Sequence, residues 1–341
     1  MSTPPTSVLP YRTWWLPLLM ISPFFLWGTA MVAMKGVIPQ TTPLFLAAVR
    51  LIPAGGLILL VAACLKLPQP KTWQAWGWIG IFALLDALMF QGFLAEGLER
   101  TDAGLGSVMI DSQPIAIALL SSWLFAERIG VWGWLGLGVG ILGISLIGLP
   151  SDWLLGWWHQ ETVAIAWDWQ NLFTNGQWWM LLAALAMALG TVSIRYVSRY
   201  ADPVVATGWH MILGGLPLLL MSGLWETEQW SQISQTGWLE LSYATVFGSA
   251  IAYGVFFYIA SQGDLTSFTA LTFLTPVFAL LFGHVLLGEV LNGVQWPGVL
   301  LTLVSIFLIN QREALATWWP WGRATDSSGS TTAVTVKVER D

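Results

Sequence analysis

DAGLGSVMIDSQPIAIALLSSWLFAE, from Asp102 to Glu127, and DLTSFTALTFLTPVFALLFGHVLLGE, from Asp264 to Glu289, are one piece of protein written twice, 162 residues apart. Asp102 falls on Asp264, Ser107 on Thr269, Pro114 on Pro276 and Glu127 on Glu289. The same offset matches Trp76 to Trp238 and Gly92 to Gly254 upstream, and Trp134 to Trp296 and Gly136 to Gly298 downstream. A single ungapped offset across these matches means a duplication. The repeated unit is a run of apolar helices, which points toward carrying something across a bilayer.

Hydrophobic residues make up 56% of the 341 and charged ones 9%, against about 45–50% and about 25% in soluble domains. That composition is expected of an all-α integral membrane protein. Ten apolar segments are read, at 14–35, 43–65, 74–97, 103–125, 130–149, 177–198, 203–224, 237–260, 265–286 and 293–311. Each is about 20 residues, enough for a helix rising about 1.5 Å per residue to cross a core about 30 Å thick. Arg12 ahead of an apolar stretch followed by GTAMVA resembles a secretory signal, but the stretch is too long for a signal core and nothing soluble follows. Cys64 is the only cysteine, which excludes an internal disulfide, a cysteine-rich metal site and a CxxC redox pair.

With the N-terminus inside, the inner loops and ends carry Arg12, Lys66, Lys71, Arg128, Arg195, Arg199, Arg312, Arg323, Lys337 and Arg340. The outer loops carry only Lys35 and Arg100 as basic residues, and the longest of them are acidic, with Asp152, Glu161, Asp168, Glu226 and Glu228. Basic residues stay on the cytoplasmic side, so both termini are expected there, in the plasma (inner) membrane of a bacterium. Five spans per repeat is an odd number, so the second copy enters the membrane inverted, and the substrate is expected between the halves near the midplane. The expected organisation is a cytoplasmic N-terminus (1–13), a first repeat (14–149), an extracytoplasmic connector (150–176), a second repeat (177–312) and a disordered cytoplasmic tail (313–341). The connector carries Trp153, Trp157, Trp158, Trp167 and Trp169, which suits a segment on the membrane surface or a lid over the outer mouth.

WGTAMVAMK (Trp27 to Lys35), PLFLAAVRLIPAGGLILL (Pro43 to Leu60) and the two Pro-to-Glu blocks, in this order and spacing, resemble the drug/metabolite transporter superfamily, EamA type. The resemblance covers Trp14 to Arg312 and implies ten helices in two inverted five-helix halves. It also implies transport of amino acids and other small metabolites, or exchange of nucleotide sugars and sugar phosphates. The second copy departs in places: Pro203 matches Pro43 at an offset of 160, which puts His210 where the first copy has Arg50. Two halves of different chemistry suit an asymmetric substrate.

A charge at the centre of a membrane helix costs about 2.5 kcal/mol or more, so Arg50, Asp86, Glu96 and Asp111 need an explanation. Arg50 and Asp111 lie about 10–12 Å below the outer surface by helical rise, within reach of each other. Arg50 either receives a substrate carboxylate or phosphate or snorkels outward; Asp111 binds an ammonium group or coupling proton, or caps backbone freed by Pro114. Asp86, near the midplane, is a proton-coupling candidate or interhelical glue, and Glu96 is a further coupling candidate. Gln91 with Tyr253, and Glu96 with Tyr258, are repeat-equivalent polar pairs suited to a central cavity. Trp27, Met31 and Met34 share a helix face and form either an apolar cavity wall or a lipid contact. Ser107, Thr269 and Thr272 suit helix contacts or backbone bonding. His210 is either a cavity probe or an interhelical hydrogen bond. Pro114 and Pro276 are expected to break their helices near the middle, marking the pathway. Glu127 and Glu289 close helices at solvated ends. Gly136 and Gly140 form a GxxxG for packing within the chain or in a homodimer.

HExxH, GxxxxGK[ST] and GxSxG are absent from the sequence, so a membrane enzyme is disfavoured. No cofactor, metal or nucleic-acid partner is expected. The reading is a secondary-active exporter of small polar or amphipathic metabolites such as amino acids, alternating access between the repeats and driven by protons or exchange. The alternatives are an uncoupled channel or facilitator, or a non-transporting scaffold or receptor.

Overall fold

A computed structural model describes residues 16–100, 110–111, 113–127, 129–148, 176–262, 265–287, 293 and 295–318. The first half of the chain supplies five helices. They are α1 (Leu16–Val37), α2 (Pro43–Cys64), α3 (Trp73–Phe82, continuing through Ala83–Phe90 into Gln91–Arg100), α4 (Gln113–Phe125) and α5 (Gly130–Gly148). The second half repeats the order with α6 (Gly176–Val197), α7 (Pro203–Trp225), α8 (Gln235–Tyr243, Ala244–Ile251, Ala252–Gln262), α9 (Leu265–Thr269, Ala270–Phe273, Leu274–Leu287) and α10 (Gln295–Asn310). The described residues contain no strand. Six helices are long and apolar enough to cross a membrane, and four shorter apolar ones, Gln113–Phe125, Gly130–Gly143, Leu265–Ala279 and Trp296–Asn310, accompany them.

Local chemistry sets several of the helix starts. Pro43 and Pro203 open α2 and α7, where a missing N–H costs nothing. Thr72 caps α3 by accepting from the Ala75 N–H at 3.2 Å, Asp202 caps α7 through Val204 and Val205, and Ser234 caps α8 through Gly237. Equivalent helices of the two halves pack on each other, α2 on α7 and α5 on α10. Glycines permit that approach: a Cβ on Gly55 would lie 2.6 Å from the Gly208 carbonyl oxygen.

On α5, a Cβ on Gly136 would meet Ile309 at 2.6 Å, one on Gly143 would meet Thr302 Oγ1 at 2.7 Å, and one on Gly140 would overlap Phe273 and Ser305. Ser305 Oγ donates to the Gly136 carbonyl at 2.6 Å. The GxxxG face is therefore filled from within the chain by α10 and Phe273, and packing within the chain is the use the structure gives it. Gly140→Leu is expected to destabilise the protein by about 1–3 kcal/mol through overpacking. Thermal unfolding in detergent would read this as a lower midpoint, and an unchanged midpoint would contradict the described contact.

Two features depart from a simple reading of the repeat. α3 and α8 each carry a π-helical stretch, Ala83–Phe90 and Ala244–Ile251, at near-equivalent places. Such i→i+5 segments are rare and frequently sit at functional sites. The stretch expected to be a disordered tail from 313 begins instead with a short helix, α11 (Arg312–Trp318), tied back by Arg312 Nη1 donating to Ser267 Oγ at 2.6 Å. The N-terminal 1–13, nearly all of the connector, Ser107, Glu289 and the chain beyond 318 lie outside the described residues.

Candidate functional site

The helical runs that carry the two prolines are interrupted in the turn just before each proline. Residue 110 is helical and Asp111 is in a turn, and regular helix resumes at Gln113, so Pro114 sits in the first turn of α4. In the second copy a 3₁₀ stretch, Ala270–Phe273, precedes the segment that starts at Leu274, so Pro276 again sits in a first turn. A proline lacks the N–H that would bond the carbonyl four residues back, here Ile110 and Thr272, and its ring crowds that turn. The breaks thus come just before the prolines, and it is the residues at the breaks that line a cavity.

That cavity, of about 640 Å³ counting its solvent-connected space, is walled by α1, α2, α3, α6, α8, α9 and the start of α4. Trp27, Met31, Met34, Phe90, Leu94 and Met187 make its apolar surface. Its polar groups are Arg50, Asp111, Gln113, Tyr253, Thr272 and Thr275, all of them buried within the protein. Gln113 and Thr275 are repeat-equivalent, as are Ile110 and Thr272, so both copies present the same positions to one space.

Between the halves runs a hydrogen-bonded chain. Arg50 Nη2 donates to Gln91 Oε1 at 3.1 Å, and Gln91 Nε2 donates to the Tyr253 hydroxyl at 2.7 Å; Arg50 Nη1 lies against the Met34 sulfur. Gln91 and Tyr253 are repeat-equivalent, and residues that bond their own equivalents lie beside the pseudo-two-fold relation between the copies. Because Tyr253 accepts from Gln91, its own hydroxyl proton remains to be donated.

Five further polar atoms on this cavity are buried with no hydrogen-bond partner among the described residues: Trp27 Nε1, Arg50 Nε, Gln113 Oε1, Thr272 Oγ1 and Thr275 Oγ1. An unmet buried polar group costs about 1–3 kcal/mol, and native proteins keep few of them. Their convergence on one apolar-walled space is the arrangement of a site for a small solute.

Of the residues singled out in the sequence, the structure brings Trp27, Arg50, Asp111 and Tyr253 to the cavity, with Met31 and Met34, and holds Gln91 behind it as the bridge. Asp86 and His210 do not line it. They form a fully buried pair with Asp86 Oδ2 3.2 Å from His210 Nε2, while Phe82 stacks on the imidazole at 3.9 Å between centroids. His210 is therefore an interhelical bond between α3 and α7 rather than a cavity probe. Its Nδ1, 2.6 Å from the Thr207 carbonyl, must donate, so one proton is held between Nε2 and Asp86, on either partner.

Glu96 is not at the site: it pairs with Arg100 one turn along the same helix. Tyr258, 47% exposed, faces away from the interior. Thr269 bonds the Leu265 carbonyl at 2.8 Å, as expected, whereas Thr272 faces the cavity. Gln113 and Thr275 went unnoticed in the sequence; the signal that finds them is polar side chains at matched positions of the repeat, each beside a proline. Groups of three or more His, Cys, Asp or Glu able to hold a metal are absent among the described residues.

The EamA-like transporter family model matches residues 14–149 and again 174–311, once per copy. An uncharacterised transporter of Synechocystis sp. is 64% identical over 298 residues, covering 87% of this chain and 90% of its own. A WAT1-related chloroplastic protein of Arabidopsis thaliana is 49% identical over 301 residues, 86% of this chain and 69% of its own. A solved crystal structure, 19% identical, superposes with a TM-score of 0.70 over 88% of this chain and 97% of its own, which shows a shared fold. Two matched copies, transporter relatives and a cavity at the join between the copies agree: this chain is a multi-pass membrane protein of the EamA-like transporter family.

Proposed function

We propose that the protein is a secondary-active exporter of small polar or amphipathic metabolites, amino acids foremost, which bind in the cavity between the two repeats. The observation that carries this is the set of buried, unpartnered polar atoms contributed by both copies to one apolar-walled space. Arg50, Tyr253 and Trp27 offer donors to a carboxylate, Asp111 faces an ammonium group, and the three methionines give an adaptable apolar wall. In this reading the chain crosses the membrane ten times as two inverted halves, with both termini cytoplasmic, and the halves rock about the cavity to alternate access. An inner-membrane setting is supported by a 25% identical relative from Escherichia coli, named an inner membrane transporter. Coupling is assigned to Asp111 in the cavity and to the proton held between Asp86 and His210.

Asp86→Asn and Asp111→Asn in reconstituted vesicles test the coupling. The amide introduced by Asp86→Asn can still donate to His210 Nε2 but holds no titratable proton. Uptake of labelled L-amino acids is expected to lose its dependence on a pH gradient in one or both variants. If both keep wild-type, pH-driven uptake, the carboxylates do not couple. An uncoupled channel would give flux that neither saturates nor responds to solute on the opposite side.

A further inference from the structure

Glu127 was expected at a solvated helix end, and the structure instead holds it half-buried against the second repeat. α4 ends where Ala126 takes a left-handed conformation at φ 56° and the Glu127 N–H donates back to the Ser121 carbonyl at 3.4 Å. That turn aims the carboxylate of the first repeat into the second. Its Oε1 lies 2.6 Å from Arg195 Nη1 of α6, with side-chain exposures of only 15% and 17%. Its Oε2 accepts from Thr266 Oγ1 at 2.8 Å, and the Leu265 and Thr266 N–H groups at the start of α9 donate to the two oxygens at 3.4 Å. A carboxylate at a helix start is favoured by the helix dipole as well as by the ion pair. The Arg195 guanidinium lies over the Phe125 ring at 4.6 Å, so the cation is held by α4 on two sides.

Among the described residues, packed aromatic side chains fill the space between the start of α9 and the cavity. One turn along α9 from Leu265, Phe268 packs with Phe24 of α1 at 5.6 Å and Phe256 of α8 at 5.3 Å. Above them Trp27, a cavity wall, contacts Phe24 at 5.8 Å and Phe256 at 4.9 Å. All three phenylalanines are buried. A path to this end of the bundle needs the start of α9, and Phe268 with it, to leave α4. Glu127 is the group that ties them together.

We propose that Glu127 is a positioning residue of the transport cycle, a latch between the repeats that holds this end of the cavity shut through Arg195 and the start of α9. The proposal rests on the alternating-access reading above and adds to it the residue that sets the balance between its two states. Removing a latch shifts a two-state equilibrium by the interaction lost in one state only.

The test uses single cysteines on a Cys64→Ser background, Cys64 being exposed and the only native cysteine. Thr269→Cys reports on the closed side, where Thr269 is fully buried, and Leu94→Cys reports on the cavity. Reaction rates with a water-soluble maleimide are measured in full-length protein in liposomes. Glu127→Gln is expected to speed labelling at 269 and slow it at 94, each by about 5- to 50-fold, the range of ordinary coupling energies. Arg195→Gln, which leaves the α9 contacts in place, is expected to shift both in the same directions by less, and stands in if the first variant does not fold. Faster labelling at both sites would mean that Glu127 only holds the fold together, and unchanged rates would mean that it holds nothing shut; either result overturns the latch. Unchanged labelling alongside retained solute flux leaves the transport reading standing, whereas opposite shifts in a protein that carries no solute would overturn that reading and not the latch.

Discussion

His210→Ala is expected to destabilise the protein by about 3–5 kcal/mol, because it strands Asp86 in the interior without its partner. Both side chains are fully buried, and Asp86 Oδ1 already lacks a hydrogen-bond partner among the described residues, so none of them replaces the imidazole. A Cβ on Gly190 would lie 2.6 Å from the Asp86 Cβ, which shows how closely α6 covers the carboxylate from the other side. Phe82 also loses the ring stacked on it. The loss should be recovered largely in Asp86→Leu/His210→Ala, since an apolar side chain of similar shape carries no desolvation penalty. Thermal unfolding in detergent, read with both variants, separates the stranded charge from the cavity left by the ring. Equal loss in the single and double variants would show that the pair contributes nothing beyond packing.

Arg50→Gln should reduce transport of a bound carboxylate by about 30- to 150-fold at subsaturating solute, corresponding to the loss of about 2–3 kcal/mol of charge-assisted hydrogen bonding. The shortened side chain cannot present a guanidinium to the cavity, but the Gln91 to Tyr253 bond across the repeats does not depend on it. Stability should therefore change much less than flux. Arg50→Lys keeps the charge and loses the fork that reaches Gln91 while leaving donors for the solute, so a partial loss of about tenfold is expected. Initial rates of uptake for a panel of labelled L-amino acids in proteoliposomes measure both. A loss confined to stability would make Arg50 a structural cation.

Much of the architecture was legible because a bilayer constrains sequence so strongly. The matched prolines and helix-closing glutamates gave the duplication, and hydropathy gave the segments, since a membrane helix needs a long apolar run. Depth along the helix was enough to bring Arg50 and Asp111 to one level, because helical rise is uniform, and repeat register with Gln91 singled out Tyr253. The π-helical stretches were not legible: in eight mixed residues such as ALLDALMF or ATVFGSAI, i→i+5 bonding leaves no compositional trace. Partners distant in sequence were equally hidden. Asp86 and His210 are 124 residues apart, and Glu127 meets Thr266 across 139, so neither pairing could be read from local pattern. Gln113 and Thr275 were overlooked for a different reason. Each is an uncharged polar residue beside a proline, and only their shared register in the repeat distinguishes them.

That register supplies the most direct measurement of whether the space between the repeats carries solute. Counterflow of labelled L-amino acids in proteoliposomes is predicted to be saturable and stimulated by solute on the opposite side in the wild type. In Gln113→Leu/Thr275→Val, which removes one matched pair of unpartnered groups from the two copies, it is predicted to fall at least about tenfold without loss of folded protein. Wild-type counterflow in that variant would contradict a solute path through this cavity.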